Sequence, residues 1–271
     1  MIYSGMLNVL ESIGKKGLQS TRSLRDATSF SYRIFARLFE RRAYNSAVSM
    51  VLINQIYFTA VQILPLFLTV AVCLSIAFVG IIGEYLLRIG LFSFFGRLLM
   101  GFMVTEIAPF VTVLLIALRS SSAINAEIAV MKVNNELNTL AVFRIDIINY
   151  LFLPRVISGI VSVVLLTCLF ALIVLTCGLI YAGFFFNMSA GDYIAALLES
   201  TNFFDLIAML VKSAVFGFFI VMIPIRYGIR ATNELTSIPV AVLNGMVNVF
   251  IAIVIIEVLS LVITPMIAKL I

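Results

Sequence analysis

Histidine and tryptophan are both absent from the 271 residues, cysteine occurs three times, and only 11% of positions are charged. Each shortage excludes something. Without histidine, the commonest metal ligand and the usual neutral-pH general base are gone. Cys73, Cys168 and Cys177 all sit inside apolar runs. They read as small buried residues rather than a disulfide framework. Soluble domains carry about 25% charged residues, so a chain with this little charge is not an ordinary soluble domain. There is no G-x-x-x-x-G-K-[ST] phosphate loop; "IGKKG" at 13–17 has neither the upstream glycine nor the Ser/Thr. No His/Cys/carboxylate cluster has metal-ligand spacing. Internal repeats, low-complexity tracts and Gly/Pro/Ser linkers are missing too.

Hydrophobic residues, in contrast, make up 63% of the chain. They fall in runs at about 47–83, 98–118, 151–186, 203–225 and 238–268. A span needs about 20 apolar residues. The pattern predicts an all-α membrane protein with five transmembrane helices. The first run is too long for one perpendicular span and holds Asn54, Gln55, Gln62 and Pro65. It divides into an interfacial or re-entrant part, about 47–60, and a span over about 62–82. The organisation expected is therefore 1–60, a basic segment with interfacial helices, and 61–271, the transmembrane domain.

The net charge of +5 reads as membrane topology rather than nucleic-acid binding. With a cytoplasmic N-terminus, fourteen Lys/Arg fall inside: eight before the first span, then Arg119, Lys132, Arg144, Arg155, Arg226 and Arg230. Three fall outside, Arg88, Arg97 and Lys269. That asymmetry predicts N-in and C-out. The stretch 187–202 has two acids and no base, as an outside loop can. Residues 1–10 lead into a polar, basic stretch, so no cleavable signal peptide is expected. Within that stretch "FSYRIFARLFERR" is amphipathic: Phe30, Ile34, Phe35, Leu38 and Phe39 share one side, Arg33, Arg37 and Glu40 the other. This predicts an N-terminal helix lying in the membrane interface, the alternative being a helix packed on a soluble partner.

Two groups of residues stand out against the apolar background. One is the ionisable set inside the runs: Glu106, Lys212 and Glu257, with Arg97 and Asp205 nearer the edges. A charge at the bilayer centre costs about 2.5–3.5 kcal/mol on insertion scales, so each must face a partner or a wet cavity. Either Glu106 lines a polar vestibule, or Glu106 or Asp205 pairs with Lys212 to fasten helices, and Pro109 can kink the helix of Glu106. The other is the polar block "RSSSAINAEIAVMKVNNELNTL", 119–140, with Ile124, Ile128, Met131, Leu137, Leu140 and Ala141 at helical spacing. It has no Gly or Pro and predicts one short amphipathic helix in a cytoplasmic loop between spans 2 and 3, with Lys132 and Glu136 paired at i,i+4. Such a helix either couples the membrane domain to a soluble motor or is merely a solvated loop helix.

The sequence "TEIAPFVTVLLIALRSSSAINAEIAVMKVNNELNTLAV", 105–142, resembles the signature of the MlaE/YrbE permeases, membrane subunits of MCE-associated lipid-transport ABC systems. Glu106, Pro109, Thr112, Arg119, Ser122, Ala123, Ala126, Glu127, Met131, Val133 and Leu140 carry the match. "YLFLPRVISG", 150–159, and "DLIAMLVKSAVFGFFIVMIPIRYGIRA", 205–231, extend it over about 50–260. Leu118, Ser121 and Ala129 replace family glycines, and the glycine-rich turn before the last span is reduced to "ATNELTSIPVAVLNG", marking a divergent member. The resemblance implies a homodimeric permease that moves phospholipid or a related lipid and has no enzyme activity of its own. It implies a separate ATPase subunit that binds the ATP and Mg, with no cofactor in this chain. It further implies an MCE-domain partner, a small STAS-type regulatory subunit, and a bacterial inner membrane or plastid envelope. The candidate lipid-cavity residues are Glu106, Pro109, Lys212 and Glu257. The candidate ATPase-docking residues are Arg119, Glu127, Met131, Lys132 and Glu136. The other readings are a membrane scaffold or assembly protein without transport activity, and, more weakly, an intramembrane enzyme using Glu106 and Glu257.

The topology is directly testable. In a chain without its native cysteines, Asn135→Cys and Ala190→Cys should react with an impermeant thiol reagent from opposite sides of the membrane. Labelling of both from the same side would overturn the five-span arrangement.

Overall fold

The structure, a computed structural model, describes residues 31, 32, 34, 36, 37, 46–91, 94–232 and 234–268. Most of the amphipathic segment at 30–42, and all of 1–30, lies outside the described residues. Among the described residues, five helices are long and apolar enough to cross a membrane: Ser49–Arg88, Phe95–Val133, Ile148–Phe185, Phe203–Ile229 and Ser237–Thr264. They coincide with the five apolar runs.

The first span joins α1 (Ser46–Ile56) through a π-helical turn, Tyr57–Val61, to α2 (Leu64–Arg88), with Pro65 in the first turn of α2. At 1.5 Å per residue a 40-residue helix is about 60 Å long. A hydrocarbon core is about 30 Å thick, so the whole helix cannot lie inside it. The second span begins as α3 (Phe95–Leu98) and widens into a π-helical segment, Leu99–Ile107. It continues as α4 (Ala108–Ile116), a second π-helical turn at Ala117–Ser121, and α5 (Ser122–Val133). Proline has no N–H to give the preceding turn, and π-helical widening is one way a helix absorbs that loss. Here the wide segment directly precedes Pro109.

The polar block is not one loop helix. Its first half, α5, continues the second span without a break, and its second half is a separate helix, α6 (Glu136–Val142). The chain breaks at Asn134–Asn135, where Asn135 takes φ of 59°. Asparagine tolerates the left-handed region better than other non-glycine residues, so it ends a helix without glycine or proline. Lys132 and Glu136 therefore belong to different helices, and Glu136 accepts a hydrogen bond from Asn134 Nδ2 at 3.1 Å instead.

A π-helical turn, Ile148–Phe152, opens the third span, and α7 (Leu153–Phe186) completes it. The stretch read as an outside loop contains α8 (Ala190–Ser200), started by Ser189 Oγ accepting from the Asp192 amide at 3.1 Å. The last two spans are α9 (Phe203–Ile229) and α10 (Ser237–Ala268).

The bundle is built around α7 and α9. Helix α2 packs on α7, α10 packs on α9, and α5 lies against both α9 and α10. Helices α7 and α9 cross at two glycines. A Cβ on Gly217 would stand 2.6 Å from the Ile160 Cα, and one on Gly159 would stand 2.9 Å from the Gly217 carbonyl oxygen. Lipid offers no hydrophobic drive for helix association, so backbone contact of this kind supplies the attraction. Phe67 of α2 meets Phe170 of α7 edge-on, with ring centroids 6.1 Å apart. Helix α10 contributes least to the interior: Val254, Ile255, Val258, Leu259, Leu261 and Val262 are all exposed.

Among the described residues of the N-terminal segment, Arg37 is ion-paired to Asp146, between α6 and the third span. Burial alone would push the Asp146 carboxyl up. The Arg37 hydrogen bond and charge, with the Asn149 and Ile148 amides, outweigh it and hold the group below its ordinary value. A depressed carboxylate stabilises above its unfolded pKa, so the tether holds at neutral pH and is lost as pH falls through the folded value.

Candidate functional site

Lys212 lies nine residues from the start of α9. Glu106 lies eleven residues from the start of the second span, and Glu257 eleven from the end of α10. Those three helix ends are on the α8 side of the bundle. At about 1.5 Å per residue, all three ionisable groups sit roughly 15 Å in from that side. That is about half of a 30 Å hydrocarbon core.

They meet there. Lys212 is buried, 6% exposed. Its Nζ donates to Glu106 Oε2 and stands 2.9 Å from Glu257 Oε2. The Glu257 contact is an ion pair without hydrogen-bond alignment, because that oxygen has no hydrogen-bond partner. One ammonium thus faces two carboxylates from two other spans. Position, not periodicity, makes the cluster: the π-helical segment turns Glu106 inward and Pro109 fixes where regular helix resumes.

Lys212 also forms part of the wall of a groove of about 700 Å³ between α9 and α10. Val211, Val215 and Phe219 line one side, Ile255, Leu259 and Ile263 the other. Ser260 and Thr264 are its only other polar lining residues. Of the four cavity candidates, Lys212 alone lines the groove. Glu106 and Glu257 stand behind it, and Pro109 is buried in α4. Asp205 does not join them; it accepts from Asn202 Nδ2 at 3.2 Å at the start of its own helix. Arg97 lies over the Phe94 ring at 5.6 Å.

The docking candidates separate into two sets. Arg119 Nη2 donates to Gln62 at 3.1 Å, and Glu127 accepts from Arg155 Nη2 at 2.5 Å, so both hold partners on neighbouring spans although both are exposed. Met131, Lys132 and Glu136 lie at the α5–α6 turn, and Val142 and Phe143, at the other end of α6, are exposed. The Arg155 partnership was not visible in the sequence, although Arg155 is within the family-like "YLFLPRVISG". Asn125 is a further residue missed. It is fully buried and donates from Nδ2 to Ala241 O at 3.0 Å, against Gly245 of α10. Ser121, at a position where the family pattern has glycine, is accommodated because its Oγ donates to Ile220 O at 2.6 Å. No group of three or more His, Cys, Asp or Glu among the described residues could hold a metal ion.

Residues 52–263 match the family described as Permease MlaE. A probable ABC transporter permease protein of Synechocystis is 31% identical over 151 residues, covering 54% of this chain and 57% of that protein. Another of Rickettsia conorii is 25% identical over 248 residues, 90% of this chain and 92% of that protein. The intermembrane phospholipid transport system permease protein MlaE of Haemophilus influenzae is 25% identical over 218 residues, 78% and 80% of the two chains.

The triad makes an ordered prediction about stability. Lys212→Met leaves two carboxylates facing each other in a low-dielectric site and should cost about 3–5 kcal/mol. Glu106→Gln leaves Lys212 paired with Glu257 and should cost less, about 1–3 kcal/mol. Thermal unfolding in mild detergent should rank the variants in that order. Equal losses for the two would mean that Glu257 gives Lys212 no support.

Proposed function

The chain belongs to the MlaE permease family, and from that membership we propose that it is the membrane subunit of an ABC transporter moving phospholipid or a related lipid. The observation that carries the reading is the groove between α9 and α10. Its walls are apolar, and a single ammonium sits at about mid-membrane depth. Acyl chains fit such walls, and Lys212 can meet a lipid phosphate as it enters. The two carboxylates behind Lys212 keep its charge tolerable when no phosphate is present.

The exposed apolar face of α10 would be covered by a second copy, so that two grooves share one central cavity. Energy comes from a separate ATPase subunit, because the chain carries no phosphate loop of its own. The α5–α6 turn is the proposed docking point. It has charge at Lys132 and Glu136 and a half-buried Met131, and α6 leads from it to exposed apolar side chains at Val142 and Phe143. It also ends the span that holds Glu106, so movement there has a continuous helix to act through. An MCE-domain protein on the α8 side would exchange lipid with the groove, and a STAS-type subunit could regulate the ATPase. The expected setting is a bacterial inner membrane with the N-terminus in the cytoplasm.

Docking is tested by Glu136→Lys combined with Phe143→Asp. Phe143 is 73% exposed, so the fold should survive, whereas Glu127→Lys would confound the result by stranding Arg155. Co-purification of the ATPase and lipid-stimulated ATP hydrolysis should both fall by roughly tenfold or more, as expected when a contact loses apolar area and gains repulsion. Unchanged co-purification would leave the turn as a solvated connection and place the ATPase elsewhere.

A further inference from the structure

A second cavity lies on the other side of the second span, away from the α9–α10 groove. It encloses about 430 Å³ between the α1–α2 junction and the start of α5. Small-molecule sites begin at about 300 Å³, so a small polar group fits. Gln55, Phe58, Thr59 and Gln62 line it from the first span, and Arg119, Ser120 and Glu127 from the second. Unlike the larger groove, this wall has polar side chains at six of its nine lining positions and carries charges of both signs.

Depth places it. Arg119 is thirteen residues beyond Glu106 on one continuous helix, about 20 Å further along. Glu106 belongs to the triad near mid-core. A displacement of about 20 Å exceeds the half-thickness of the hydrocarbon and reaches the headgroup layer, which ends some 20–22 Å from the centre. Glu127 lies eight residues, about 12 Å, further outward and past that layer, and it lines the same cavity. Phe58 is 54% exposed and Leu118 57%, so apolar surface adjoins the opening.

The charges have capacity to spare. Arg119 gives Nη2 to Gln62; its remaining guanidinium donors have no protein acceptor among the described contacts. Glu127 commits one oxygen to Arg155 and keeps the other free, its side chain being 56% exposed. A guanidinium with glutamine and serine beside it has the donors to hold a phosphate. A carboxylate further from the membrane centre suits an ammonium. Phosphate inward and amine outward is the order in which a zwitterionic phospholipid presents its headgroup.

We propose that this cavity binds a phosphate-plus-amine headgroup, of the phosphoethanolamine type. It sits where the first span meets α5, the helix leading to the proposed docking turn. An occupied cavity would brace α5 against the first span. The site does not depend on transport through the other groove, and either assignment can fail without the other.

The chain has no tryptophan, so Phe58→Trp places a unique reporter in the cavity wall; Leu118→Trp is the substitute if that variant does not fold. The probes are phosphatidylethanolamine and phosphatidylglycerol with brominated tails, titrated into detergent-solubilised full chain. Phosphatidylethanolamine should quench at a mole fraction roughly tenfold lower, the value of one charge-assisted contact. Arg119→Gln in the same background should weaken that quenching by a similar factor, with helical content and elution unchanged. Soluble glycerophosphoethanolamine identifies the source. Displacement of the lipid by it supports the headgroup site and admits a free ligand, and failure to displace supports the site with a membrane lipid as its ligand. Equal quenching by the two lipids, or quenching indifferent to Arg119→Gln, would overturn the proposal.

Discussion

A lysine ammonium held about 15 Å inside a membrane constrains everything around it. Water is not available to solvate it, so protein must supply the counter-charge, and a single helix cannot. Lys212 takes one carboxylate from the second span and one from the fifth. Three spans are thereby fixed in register at one depth. The π-helical stretch before Pro109 carries the first carboxylate, α9 the buried lysine, and Glu257 helps to attach the otherwise peripheral α10. Small residues finish the work where the backbones touch, as at Gly159 and Gly217.

The same arrangement connects chemistry to mechanics. The helix that carries Glu106 runs unbroken to Val133, past two π-helical stretches where its pitch differs from regular α-helix. Wide turns are soft points in an otherwise stiff rod. Force applied at the α5–α6 turn would reach the triad through them, and the triad is where an apolar groove meets an ammonium held by two carboxylates. Asn125, clasped between Gly228 and Gly245, ties the same helix to α9 and α10. A movement of α5 would therefore be felt by both walls of the groove.

Much of this was legible in the residues, and the losses have physical causes. Run length alone identified five spans, because the bilayer sets a length that composition must satisfy. The pairing of Glu106 with Lys212 was one of two open readings; Glu257 was noticed as an intramembrane charge but not as the third member. Hydropathy shows which side chains need partners, not which helices bring them together. The break at Asn134–Asn135 was missed because only glycine and proline were counted as helix breakers. Arg155 with Glu127 was missed for a different reason. Both lie near the ends of spans, where a charge is solvated easily and raises no demand for a partner. The stretch 187–202, with two acids, no base and no run long enough to span, reads as a loop; its Ser189–Asp192 cap is the available sign of α8.

The central claim is that lipid passes through the groove between α9 and α10 beside Lys212. A photoreactive side chain at Leu259, in the groove, tests it against one at Leu165, which is exposed on α7 and outside the groove. Both would touch bilayer lipid, so the measurement is the change in lipid adduct on adding ATP to the assembled complex in vesicles. The expected result is an adduct at Leu259 whose yield changes with ATP while that at Leu165 stays constant. Yields at both positions that ignore ATP would contradict the account.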